Sequence, residues 1–143
     1  MIKIRHTGLV TYNLKKSLNF WNKILKFKIT KDIQEDGDLI DKIMFYQNVK
    51  LRTIKLKDSY SNLIEIIFFK NLPKKDKKDI LPYSEGFTHI SVTVKNISLT
   101  YKKLKKNGTR FNSIPQKAKD GKVLMTYCRT PEGAFLELVE EVK

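Results

Sequence analysis

One pattern occurs twice in this chain and limits what it can fold into. His6 opens the stretch HTGLVTYNL, and His89 opens HISVTVKNI. Each stretch alternates apolar and polar residues in the manner of a strand, then passes through an Asn into a segment of helical spacing. Each half closes on an apolar run that carries one acid, NLIEII around Glu65 and AFLELV around Glu137. The chain has only two histidines, and both sit at the same place in the repeat. A doubling of this kind means two copies of one supersecondary unit, each beginning on a His and ending on a Glu.

Residue patterns fill in the units. In the first, 2–11 reads as a strand, and Asn13 caps a helix running to about residue 26. Leu14, Leu18, Trp21 and Leu25 would form its apolar face. Strands are expected at 27–33, 50–57 and 62–70. In the second, 86–95 is a strand, and Asn96 caps a helix that stops at Asn107-Gly108. Phe111 is strand-like until Ile114-Pro115 breaks the run. Asp120-Gly121 signals a turn into a strand at 122–129, and Thr130 to Gly133 turns into the last strand at 134–142. Each half is strand, helix, strand, strand, strand. The expected fold is therefore α+β: two tandem βαβββ modules, 1–70 and 86–143, within one domain. The linker, 71–85, holds Pro73, Pro82 and a lysine run. The first half is the longer one, and residues 34–48 are assigned the excess. They are expected to form a loop over the site with a short helix at 40–45, and Phe45 and Tyr46 are lid candidates.

Strand parity points to chemistry, because successive side chains alternate faces. Glu65 and Glu137 each stand in a strand apolar on both faces, where an acid alone is costly to bury. A lone Glu of this kind is more often an edge residue or a partner for Lys, and a lone His is more often hydrogen-bonded than a ligand. The doubling shifts the balance, since coincidence would have to strike both halves in register. His6, Glu65, His89 and Glu137 are thus candidate ligands of one divalent ion. Zn²⁺, Ni²⁺, Co²⁺, Mn²⁺ and Fe²⁺ all suit a set of two His and two Glu. Arg52 and Arg129 are candidates for binding a substrate carboxylate or phosphate, and Phe87 and Phe135 for walls of the cleft.

Composition narrows the class. The formal charge is +14, but of the 29 basic residues only Arg5, Arg52, Arg110 and Arg129 are arginine, the residue that phosphate- and base-reading surfaces favour. The lysines are spread along the chain, so a nucleic-acid partner is not expected. No apolar run is long enough to cross a membrane, and the N-terminus lacks the apolar core of a signal peptide, so a cytoplasmic location is expected. A single cysteine, Cys128, rules out an intrachain disulfide. No glycine-rich phosphate loop or Ser/His/Asp set appears.

The chain resembles the vicinal oxygen chelate superfamily, which includes glyoxalase I, methylmalonyl-CoA epimerase, extradiol dioxygenases and the fosfomycin and bleomycin resistance proteins. The resemblance spans nearly the whole chain. It rests on HTGLVTYNLKKSLNFW from His6 to Trp21, LIEI from Leu63, GFTHISVTV from Gly86 and TPEGAFLELVE from Thr130. The family usually has Asp where this chain has Thr130, a difference confined to a turn. The resemblance implies two βαβββ modules whose mixed sheet curls around a metal-binding cleft. It implies ligands from the first and fourth strands of each module: His6, Glu65, His89 and Glu137. It also implies a glyoxalase I-type lyase or isomerase that works on a small oxygenated substrate through a metal-stabilised enediolate. Glu137 would be the base and Glu65 the second choice. The alternatives are proton transfer of the methylmalonyl-CoA epimerase type and a non-catalytic ligand- or drug-binding protein. A homodimer is a further expectation.

Overall fold

The computed structural model describes residues 1–74 and 79–142 of the 143-residue chain. The chain divides into two compact units, Met1–Asp76 and Lys77–Lys143, and the division falls within the expected linker. Residues 75–78 of the lysine run lie outside the described residues.

The first unit contains strand β1 (Thr7–Val10), helix α1 (Leu14–Leu18) continued by a π-helical turn (Asn19–Ile24), strand β2 (Lys28–Asp36), helix α2 (Asp38–Met44), and strands β3 (Lys50–Lys57) and β4 (Leu63–Phe69). The strands form one sheet in the order β1-β4-β3-β2. β1 runs parallel to β4, and the other two pairings are antiparallel. The second unit repeats the plan with β5 (His89–Thr93), α3 (Ile97–Lys106), β6 (Gln116–Lys117), β7 (Val123–Arg129) and β8 (Phe135–Glu141). Its sheet order is β5-β8-β7-β6, with β5 parallel to β8. The fold is α+β, as the doubled sequence requires, with a βαβββ plan in each unit. The parallel pairing follows from the helix that separates the first strand of each unit from the rest, since a helical crossover returns the chain in the same direction.

Each helix starts where its cap is. Asn13 Oδ1 accepts from the Lys16 backbone N at 3.0 Å, and Asn96 Oδ1 accepts from the Leu99 N at 2.8 Å. These bonds satisfy donors that the first helical turn leaves without intrahelical partners. α1 contacts β4 and α3 contacts β8, so both helices cover the same face of their sheets. On that face of the first sheet, Ile54, Leu56, Ile64 and Ile66 are buried. In the second, Cys128, Leu136 and Leu138 are buried, together with Ile97 and Leu104 of α3.

Three expectations are corrected. The first strand starts at Thr7, not residue 2, and Met1, Ile2 and Ile4 are exposed ahead of it. Alternation alone does not make a strand without a neighbour to pair with. The buried face of the first helix is Ser17, Phe20, Trp21 and Ile24; of the expected stripe Trp21 is fully buried, and Leu14, Leu18 and Leu25 are only half-buried beside it. The excess length of the first half is not a loop. The short helix expected at 40–45 is α2, and the rest of the excess lengthens β2, nine residues long against two in β6. Phe45 closes α2 in the left-handed conformation at φ 52°, and it and Tyr46 are exposed.

Candidate functional site

The ladders decide which side chains share a face with the two acids. In the first sheet, Glu65 has Gly8 of β1 on one side and Lys55 of β3 on the other. In the second, Glu137 has Ser91 of β5 and Tyr127 of β7. Residues directly opposite each other project to the same side of a sheet. Both acids therefore project away from the helix-covered face, on which Ile64, Ile66, Leu136 and Leu138 are buried.

Each acid meets the histidine of its own module. His6 Nε2 stands 3.5 Å from Glu65 Oε1, and His89 Nε2 stands 3.8 Å from Glu137 Oε2. Both distances are long for a hydrogen bond. The acids are well shielded, with side chains 13% and 16% exposed. Glu65 Oε2 lies 3.1 Å from the Lys55 ammonium. Burial first, and then the neighbouring Glu137 carboxylate, push the Tyr127 phenol above the usual tyrosine range. The Tyr127 ring also meets the His89 ring edge-on, with centroids 5.4 Å apart.

A metal suits these groups in donor chemistry. Imidazole and carboxylate are ligands of first-row divalent ions, and two ligands of a tetrahedral ion at about 2.1 Å each lie roughly 3.4 Å apart. The His6–Glu65 spacing matches that figure and the His89–Glu137 spacing is close to it. Nδ1 of His6 is buried with no hydrogen-bond partner among the described residues, and an ion on Nε2 would leave that atom as it is. Nδ1 of His89 is 3.0 Å from Thr88 Oγ1, which can orient the ring as outer partners of metal-bound histidines do. Beside Glu65, a Cβ built on Gly8 would meet nothing within 4 Å, so there is open space next to the acid. Among the described residues, no three His, Cys, Asp or Glu side chains gather closely enough to hold an ion. Each module by itself offers two donors.

The other expected site residues separate. Arg129 lies on the face of Glu137. Its guanidinium stacks 3.8 Å over the Phe135 ring and donates to the Gly133 carbonyl at 2.8 Å. Phe135 is on that face but buried beneath Arg129. Phe87 is exposed and precedes β5. Arg52 does not join them. It neighbours Lys55 at odd spacing along β3, so it faces away from Glu65, and its fork is filled by Asp32 through bonds of 2.8 and 2.7 Å. The sequence reading did not single out Lys55 and Tyr127, although each stands ten residues before its acid and so could have been found from the repeat.

Comparison with known proteins agrees with this architecture. Residues 3–138 match the model of the Glyoxalase/Bleomycin resistance protein/Dioxygenase superfamily. A glyoxalase-family protein from Bacillus cereus superposes with a TM-score of 0.91 at 16% identity, over 100% of this chain and 96% of that one. A glyoxalase-family protein from Enterococcus faecalis gives 0.69 at 22% identity, over 96% and 97%. The trypanothione-dependent glyoxalase I of Leishmania major gives 0.68 at 17% identity, over 99% and 88%. No curated protein matches. At these identities the structures establish the fold, and the family match covers most of the chain. With its doubled βαβββ plan, the chain belongs to the Glyoxalase/Bleomycin resistance protein/Dioxygenase superfamily.

Proposed function

We propose that this protein is a divalent-metal-dependent lyase or isomerase of the glyoxalase I type, with the two modules working as one domain. The observation that carries the reading is the recurrence of one pairing in both modules, an imidazole Nε2 against a shielded carboxylate oxygen at 3.5 and 3.8 Å. His6, Glu65, His89 and Glu137 would hold the ion, two donors from each module, drawn from one chain or from two chains of a homodimer. When bound, such an ion supplies Lewis-acid stabilisation of negative charge on two neighbouring oxygens of a substrate.

The chain's own residues would do the rest. A carboxylate removes the proton from the carbon beside those oxygens and returns it to the neighbouring carbon. Glu137 is the first choice, because the residue opposite it, Tyr127, brings no positive charge to engage it. The charge of Glu65 is already engaged by Lys55, which makes it the second choice. The Tyr127 and Phe135 rings, 6.0 Å apart, give the Glu137 side an apolar floor that limits water around the reacting carbon. Arg129 stands on the same face and can meet an anionic group of the substrate.

Metal analysis of protein purified without chelator, followed by an assay with a hemithioacetal substrate, tests the reading. The expected result is one divalent ion per set of four donors and isomerisation that stops on chelation and returns on adding the ion. Proton exchange with an acyl-CoA but not with the hemithioacetal would move the assignment to the epimerase type. Ligand binding with no ion and no turnover would make it a binding protein.

A further inference from the structure

The two modules differ in charge at one equivalent position beside the site. Lys55 lies directly opposite Glu65 in the β3–β4 ladder, and Tyr127 directly opposite Glu137 in the β7–β8 ladder. The oxygens of Glu65 are divided, with Oε1 toward His6 and Oε2 3.1 Å from the ammonium. Glu137 has a neutral phenol in the matching place.

We infer that Lys55 is a positioning residue that engages one oxygen of Glu65 and offsets its charge, so that His6 and Glu65 form the weaker half of the metal grip and His89 and Glu137 the stronger half. This inference rests on the metal reading above. The affinity of an oxygen site for a cation follows the charge its ligands bring. An ammonium against Glu65 subtracts from that charge and repels an incoming dication. Solvent screens this only in part, since the Lys55 and Glu65 side chains are 22% and 13% exposed. Tyr127 has the opposite effect. An ordinary phenol carries no charge at neutral pH, so from this position nothing cancels the negative charge of Glu137. The duplicated unit has thus become two unequal halves through one residue in each copy.

Titration calorimetry with Ni²⁺ on metal-stripped full-length protein tests this. The wild-type isotherm is expected to show binding that Glu137→Gln abolishes, and wild-type protein without such binding would overturn the metal reading itself. Given that binding, Lys55→Gln is expected to bind Ni²⁺ about tenfold more tightly, the scale on which outer partners tune metal sites. Lys55→Arg, which keeps the charge, is expected to match wild type. A damaged fold weakens binding and cannot tighten it, so the direction separates the proposed role from a structural one. Lys55→Met is a second neutral variant should Lys55→Gln melt early. Unchanged or weaker affinity in a folded neutral variant overturns the inference and leaves the metal reading standing.

Discussion

Arg52 grips Asp32 through two hydrogen bonds, from Nε at 2.8 Å and from Nη2 at 2.7 Å, on the sheet face turned away from Glu65. The guanidinium bond holds the Asp32 carboxyl below the ordinary carboxylate value of 3.8. A depressed folded value adds stability above the unfolded value, and that stability is lost as pH falls through the folded one. The pair is therefore expected to contribute in full at neutral pH, to begin fading as pH falls through about 4, and to be lost only below the depressed folded value. Both side chains are more than a third exposed, so solvent screening keeps the contribution under about 1 kcal/mol. Denaturant melts of Asp32→Asn at pH 7 and at successively lower pH check this: the deficit should be small at pH 7 and shrink as pH falls below 3.8. Arg52→Ala should leave metal affinity unchanged, and a loss there would show that Arg52 reaches the site after all.

The matched caps predict matched losses. Asn13 and Asn96 each accept a bond from the backbone of the helix they open. Asn13→Ala and Asn96→Ala are each expected to cost about 1 kcal/mol. Urea unfolding of the two variants should show similar shifts in midpoint. A cost confined to one of them would mean that the other helix is held by packing alone.

Trp21 is the only tryptophan and is completely buried, with Phe20 and Phe27 edge-on to it at 5.1 and 5.5 Å. Trp21→Phe keeps an aromatic ring and should cost less than Trp21→Ala, for which about 3–5 kcal/mol is expected. In wild type, Trp21 fluorescence reports on the first unit alone. Its unfolding curve can be set against far-ultraviolet circular dichroism, which sees both units. Coincident curves would show the units unfolding together, and separate ones would show that each melts by itself.

The repeat made much of this molecule legible. Asn13 and Asn96 mark the starts of α1 and α3, and the residue pattern gives β3 the bounds Lys50–Lys57 that the structure has. Local signals of this kind are strong because a cap or a tight turn needs particular residue types. The errors share one physical cause, which is dependence on neighbours that sequence order does not show. Residues 2–6 alternate as a strand does but pair with no strand among the described residues. In the first helix Ser17, Phe20 and Ile24 join Trp21 on the buried face, and Leu14, Leu18 and Leu25 stay half-buried. The strand pattern makes Arg52 a cleft candidate, but its register against Phe68 puts it on the other side. Within each module His and Glu do meet, as their matched places in the repeat suggested.

Cys128 is fully buried in β7, and burial pushes its thiol up to about 12. Reaction with disulfide reagents needs the thiolate and access to it, and the folded chain offers neither. No thiol is expected to react at pH 8 in the native state, and one per chain in denaturant. Rapid labelling without denaturant would show that β7 and β8 open locally.

Gly8 gives a test that separates the site from the fold. It stands beside Glu65 in the parallel ladder, and a Cβ there meets no atom within 4 Å. Its φ is not positive, so nothing in the backbone requires glycine. Gly8→Val should therefore fold as well as wild type or better, since a β-branched residue suits a strand. The same branches would occupy the open space next to the acid. On the metal reading, affinity for a divalent ion should fall about tenfold, the size of effect expected when the surroundings of a ligand are disturbed. A thermal melt alongside metal titration decides it: an unchanged melt with weakened binding places the ion beside Glu65, and unchanged binding places it elsewhere.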